Sequence, residues 1–237
     1  MSELPQIWSA LQATPAFGVA LTLAGYEIGC WMQWRLGANP IVNPVAIAVT
    51  LIISILLLTG TRYQTYFDGA RWIHFLLGPA TVALAIPLYR NLAELRRSAV
   101  AILVAVTAGA VAASASAVAI AWSLGGSVEL LRSIAAKSIT APIAIAVSGQ
   151  IGGVPELTAV LVVVTGVLCG AFAPELLALL GVRCWRAGGV AAGVVGHGIA
   201  TARMLSINET AGAFSALAMG LCGLVTAILL PVVARLL

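Results

Sequence analysis

Long apolar runs follow one another along almost the whole chain, with polar residues gathered in the short gaps between them. A helical membrane span needs roughly 20 mostly apolar residues. On that rule the pattern predicts about eight spans: Phe17–Trp34, Ile41–Thr59, Trp72–Tyr89, Ala99–Leu124, Leu130–Ser148, Leu157–Leu180, Gly188–Met204 and Ala211–Leu236. The fifth is shorter and more polar than the others. Trp31, Trp34, Tyr63, Tyr66, Trp72, Tyr89 and Trp185 fall near span ends, where aromatic rings favour the membrane–water interface.

One stretch occurs twice. IVNPVAIAV at Ile41–Val49 returns as ITAPIAIAV at Ile139–Val147, identical at six of nine positions and with proline fourth in both. Later features recur in the same order: Gly78 and Pro87 are echoed by Gly166 and Pro174, and Arg96 with Arg97 by Arg183 and Arg186. The copies lie on the second and fifth spans, and an odd separation sets them in opposite orientations. The expectation is an inverted repeat, with halves of approximately 39–124 and 130–204 inside a single transmembrane domain covering 1–237. The expected fold class is therefore all-α: a polytopic integral membrane protein with about eight transmembrane helices, an inverted repeat and two broken helices. Repeats of this kind point to a transporter whose site lies where they meet.

Composition agrees with a membrane chain. Residues are 61% apolar and 8% charged, with mean hydropathy +1.08, against about 25% charged in a soluble domain. The net charge of +4 comes from basic residues scattered singly between apolar runs, which suits loop ends and not a nucleic-acid partner. Arg62, Arg71, Arg132, Lys137, Arg183, Arg186 and Arg235 fall on the side of the termini, giving a small excess there and an expectation of cytoplasmic termini. The N-terminal MSELPQIWSALQ lacks a basic region and a cleavage site, so no signal peptide is expected. Cys30, Cys169, Cys184 and Cys222 share no metal-ligand spacing and read as packing residues. Nucleophile triads, phosphate loops and facing carboxylates are absent, so neither an enzyme nor a cofactor or metal site is expected.

Both copies of the repeat carry proline inside an apolar segment. Proline removes a backbone donor and clashes with the preceding turn, costing about 3 kcal/mol or more in a helix. In lipid the freed groups must find partners, so a broken helix lies against protein or a wet cavity. A lone proline kink is common, but two in matched positions with polar flanks point to functional breaks. The first break spans Asn39, Pro40, Asn43 and Pro44; the second spans Lys137, Ser138, Thr140 and Pro142, followed by Ser148-Gly-Gln-Ile-Gly-Gly153. Pro44 and Pro142 each precede a helical run, where proline suits a helix start. The N–H groups and positive dipole end of such half-helices attract anions. Asn39, Asn43, Pro44, Ser138, Thr140 and Pro142 are therefore candidate substrate-binding residues.

Ionisable residues within spans add to this set. Lys137 is the only lysine of the chain, and a buried cation costs about 2.5–3.5 kcal/mol on insertion scales, so it needs a partner, for which a substrate carboxylate fits. His197 lies among glycines at 188, 189, 193, 196 and 198. It reads either as a satisfied interhelical donor or as a proton carrier in contact with substrate. Thr201, four residues on, shares its helix face, and Arg203 completes the candidates. Glu27 suits an interfacial or ion-paired position, and Glu209 a helix start.

Taken together, these residues resemble the LrgB/CidB family. Tyr63-Gln-Thr-Tyr66, Gly69 and Gly78 through Tyr89 resemble its first half, Asn43-Pro44 its Asn-Pro step, and Lys137-Ser-Ile-Thr140 with Pro142-Ile-Ala144 its Lys-Ser-(Val/Ile)-Thr-x-Pro-Ile-Ala motif. Gly152-Gly153-Val-Pro155, His197 with Thr201-Ala-Arg203, and Gly212-Ala-Phe-Ser215 also fit. The chain departs from that pattern at Ala136, Ala141, Gly196 and Ala211, the last where a glutamate is expected. The resemblance implies two alternative functions. One is transport of small monocarboxylates of the pyruvate, glycolate or glycerate class, by alternating access and with a separate LrgA/CidA-like small membrane protein. The other is holin/antiholin-like control of murein hydrolases and lysis. The inverted repeat and paired breaks favour transport. The setting expected is the inner, cytoplasmic membrane, with lipid as a partner and a homo-oligomer allowed.

Overall fold

The computed structural model describes residues 12, 14–37, 42–76, 79 and 82–236, and these are helical throughout, joined by short turns. The chain divides into two compact units, Met1–Ala83 and Leu84–Leu237.

The first unit packs α1 (Pro15–Arg35) against α2 (Pro44–Thr59) and α3 (Tyr63–Phe75). Pro44 opens α2, and Asn43 caps it, its side-chain oxygen accepting from the N–H groups of Val45 at 2.9 Å and Ala46 at 3.3 Å. Glycines set the spacing. Gly25 faces Ala48 and Gly29 faces the Pro44 backbone, so α1 and α2 run antiparallel. Gly18 meets the backbone of Tyr66 through Ala70 on α3, leaving no room for a side chain.

The second unit holds α4 (Ala85–Arg90), α5 (Leu92–Arg97), α6 (Ala99–Ser123), α7 (Val128–Ala135), α8 (Ala141–Gln150), α9 (Pro155–Leu179), α10 (Trp185–Ile207) and α11 (Glu209–Leu236). By length and composition α6, α9, α10 and α11 suffice to cross a membrane, while α2 and α8 are shorter apolar helices. The protein is a multi-pass, all-helical membrane protein. The span expected over Trp72–Tyr89 is not one helix. α3 stops at Phe75, α4 starts at Ala85, and the boundary between the units falls between them.

Two helical segments of this unit turn back on themselves. The first is α7–α8. Residues 136–140 are not helical, as the proline break predicts. The chain does not continue in line beyond them, where the sequence reading had one span. The Val154 N–H donates to Ser133 Oγ at 2.8 Å; a continuous helix would hold these residues about 31 Å apart. Thr158 at the start of α9 pairs with Ser148 near the end of α8 at 2.6 Å. So α8 runs antiparallel to α9 and brings its end back to α7. Gly152, at φ +76, makes the turn that ends α8.

The second reversal is within α10. His197 sits at φ 41, ψ −133, the one non-glycine with positive φ among the described residues. A side chain on Gly188 would lie 3.7 Å from Met204 Cε, although a straight helix would separate these residues by about 24 Å. The first half of α10 therefore ends at Gly196, and the second half returns beside it. Its first half pairs with α9 in antiparallel register, Gly188 by Leu177 and Gly196 by Cys169. The same half lies parallel to α11, where Gly189 meets Ala211 and Gly193 meets Ser215. Four small residues at matched four-residue spacing let these two backbones touch. The second half runs antiparallel to α11, with Leu205 against Gly212. The span expected at Gly188–Met204 is thus a folded pair.

Gly193 provides a direct test. A methyl group there collides with the Ser215 carbonyl, whereas one on Gly220 meets nothing within 4 Å. Gly193→Ala is expected to lose about 1–3 kcal/mol in detergent unfolding. Gly220→Ala is expected to hold or slightly raise the midpoint.

Candidate functional site

The two reversals meet at the middle of α9. Because Ser148 pairs with Thr158, antiparallel register sets Ala144 level with Val162 and Thr140 level with Gly166. His197 Nε2 lies 3.0 Å from the Val162 carbonyl; a carbonyl only accepts, so Nε2 carries the proton. Gly166 makes room for the ring, since a Cβ there would sit 2.6 Å from His197 Cε1. Register thus brings the loop of the first hairpin to the stretch of α9 that also receives the His197 ring. The loop of the first hairpin and the turn of the second are therefore neighbours.

The groups at this point are polar and mostly spoken for, with one exception. Thr201 Oγ1 donates to the His197 carbonyl at 2.7 Å and lies 2.8 Å from Ser215 Oγ on α11, with both hydroxyls buried. The carbonyl freed by the reversal is satisfied inside the protein, as a low-dielectric setting requires. Lys137 is the exception. Half-buried, it donates to Ser138 Oγ at 3.2 Å and forms no ion pair among the described residues. Thr140 starts α8 but its hydroxyl makes no cap bond there, and Pro142 follows as the second helical residue. An ammonium without a counter-ion beside an uncapped helix start is an arrangement suited to an anion.

The conformation of His197 carries its own cost. Its φ and ψ fall in a region that favours glycine, where an L side chain is strained by about 1–3 kcal/mol. Gly196 and Gly198 flank it, yet the turn residue itself keeps an imidazole. Packing alone would be better served by a third glycine.

A buried hydroxyl network anchors the base of the first hairpin. Ser133 Oγ donates to the Glu129 carbonyl at 2.6 Å while accepting from Val154 N–H. Thr158 Oγ1 pairs with Ser148 Oγ and lies 3.2 Å from the Ser133 carbonyl. Ser133, Ser148 and Thr158 are fully buried. The sequence pattern marks the Ser148–Gly153 run without assigning it this task, names Ser215 only within the Gly212–Ser215 motif, and does not single out Ser133 or Thr158.

The other expected site residues are placed as follows. Asn39 lies outside the described residues. Asn43 and Pro44 form the start of α2 in the first unit, where the Asn43 amide oxygen is committed to the cap. Arg203 is half-buried in the second half of α10 and enters no ion pair among the described residues. Of the expected residues, Lys137 contacts Ser138 and His197 contacts Thr201.

Known proteins with similar sequences place the chain in a family. A family model described as the LrgB-like family matches residues 22–236. The chain belongs to the LrgB-like family. It is 35% identical over 218 residues to a protein of Haemophilus influenzae, covering 91% of this chain and 93% of that one. To YxaC of Bacillus subtilis it is 34% identical over 215 residues, covering 91% and 93%. To the holin-like protein CidB of Staphylococcus epidermidis it is 30% identical over 214 residues, covering 90% and 93%. No solved structure matches the chain. In this LrgB-like protein the hairpin base should matter for folding: Thr158→Val leaves Ser148 with a lost partner and is expected to cost about 1–2 kcal/mol. Detergent unfolding measures it, with the exposed Ser123→Ala as the unchanged control.

Proposed function

We propose that this LrgB-like protein is the membrane component of a transporter for small monocarboxylates of the pyruvate, glycolate or glycerate class, working with an LrgA/CidA-like subunit in the cytoplasmic membrane. The observation that carries this reading is Lys137, a half-buried ammonium with no acidic partner among the described residues, at the break of a hairpin. A carboxylate supplies the missing charge, and the Ser138 and Thr140 hydroxyls with the α8 N-terminus give it direction. His197 adds a group that can carry a proton near the same point. A small acid fits because the surroundings are small side chains: Gly166, Ala144 and Cys169. In this reading the protein is one transmembrane domain that rearranges about the site to alternate access.

A second reading has its own support. Relatives bear the names holin-like protein CidB and antiholin-like protein LrgB, so a regulator of murein hydrolases and lysis is the alternative. A lytic regulator has no need of a cation held at a helix break.

Flux of labelled pyruvate and glycolate into liposomes, with and without the LrgA-like subunit, separates the two. Uptake is expected, and Lys137→Ala should lower it at least tenfold without lowering the amount of folded protein. Asn43→Ala tests whether the first break contributes beyond its cap. Normal flux in Lys137→Ala overturns the site, and no flux of any carboxylate favours the lytic reading.

A further inference from the structure

The two folded segments are alike in more than their reversal. Val128–Leu179 comprises a hairpin, a turn and a long helix; Trp185–Leu236 comprises the same parts in the same order, and the two stretches are equal in length to the residue. Laid over one another without a gap, they pair Thr140 with His197, the two turn positions, and Ala141 with Gly198, where each returning half-helix begins. Along α9 and α11 the same offset pairs Thr158 with Ser215, both buried hydroxyls, and Gly166 with Gly223. It also pairs Pro174 with Pro231, prolines inside long helices.

α9, the long helix between the two hairpins, has 25 residues and is long and apolar enough to cross a bilayer. The first hairpin has its base at the start of α9 and the second has its base just past the end. Their bases therefore lie on opposite faces of the membrane. Packing directions agree. α6 lies parallel to the first half of α10, with Glu94 on α5, just ahead of α6, paired to Arg186 at 3.6 Å and Gly109 on α6 against Val194. That direction requires α7–α8 to make no net crossing.

We infer that Val128–Leu179 and Trp185–Leu236 are an inverted repeat in which two re-entrant hairpins enter from opposite faces, their turns at Lys137–Thr140 and His197 meeting as the two sides of one anion site. The inference rests on the transport reading for its ligand, but not for its topology. It places the pseudo-two-fold axis between α9 and α11, the equivalent long helices of the two stretches, and no longer between the repeated nonamers. It gives each face of the membrane its own gate, because opening either hairpin uncovers the same turn-to-turn contact from one side only. The first hairpin has few hydrogen bonds to lose at its tip and is fixed at its base by Ser133, Ser148 and Thr158, whereas the tip of the second is bonded to Val162 and, through Thr201, to Ser215.

Sided labelling of single cysteines with an impermeant maleimide, in right-side-out and inverted vesicles, tests this on the full chain. Cys184 is exposed at the start of α10, and hydrogen bonds from the Ala187 backbone N–H, then from Arg186, hold its thiol below the ordinary range, so it labels readily. The reporters are Cys184 alone, Ser206→Cys at the other end of α10, and Ser127→Cys and Gln150→Cys at the base of the first hairpin, each with the other native cysteines replaced. Cys184 and Ser206→Cys are expected to label from one face, and Ser127→Cys with Gln150→Cys from the other. Labelling of either pair from both faces overturns the inverted repeat, whatever the flux assay gives. In the same vesicles, millimolar pyruvate or glycolate is expected to slow modification of Thr140→Cys several-fold. Sided labelling as expected with no protection by either acid overturns the turns as the monocarboxylate site while upholding the topology.

Discussion

Inside a bilayer a broken helix frees N–H and C=O groups that no water can satisfy, and the second unit breaks its helices twice near one level. The structure answers this constraint locally. At His197 the freed carbonyl is taken by Thr201, whose hydroxyl reaches Ser215, and the imidazole itself donates to the Val162 carbonyl. At the first hairpin the demand is met mainly at the base, through Ser133, Ser148 and Thr158, and the loop at Lys137 is left with a cation and an uncapped helix start. In the proposed transport reading, this asymmetry between a satisfied turn and an unsatisfied one is what suits the site to an anion.

Small residues make the reversals possible. The first half of α10 lies against α11 through Gly189, Gly193, Ala211 and Ser215 and against α9 through Gly196 and Cys169. With larger side chains the two halves and two neighbours could not share this space. Helix association in lipid rests on such packing, because apolar surface gains little by leaving lipid. The first unit uses the same means at Gly18, Gly25 and Gly29. A glycine-rich run thus serves two ends, close approach on its flanks and reversal at its centre.

Much of this was legible in the chain. Apolar length gave α6, α9 and α11 to within a few residues, and the prolines gave the starts of α2 and α8, since proline is disfavoured elsewhere in a helix. Lys137 stood out because a lone lysine in an apolar run needs a reason. Direction was not legible. Hydropathy measures how much apolar length a segment has and is the same for a rod and for a folded pair, so α10 passed as a crossing. In the Ile41 and Ile139 nonamers the letters themselves coincide. The proposed pairing of Thr140 with His197 and of Ala141 with Gly198 joins residues alike in place more than in type, so it is visible only through contacts.

The central claim is that α10 reverses at His197. The distance between spin labels at Arg186→Cys and Ser206→Cys, measured in lipid with the other cysteines removed, tests it most directly. A straight helix would hold these positions about 30 Å apart. The folded helix predicts a backbone separation of about 10 Å, the spacing of packed neighbours, and so a label distance well under 25 Å. A sharp distribution centred near 30 Å would contradict it.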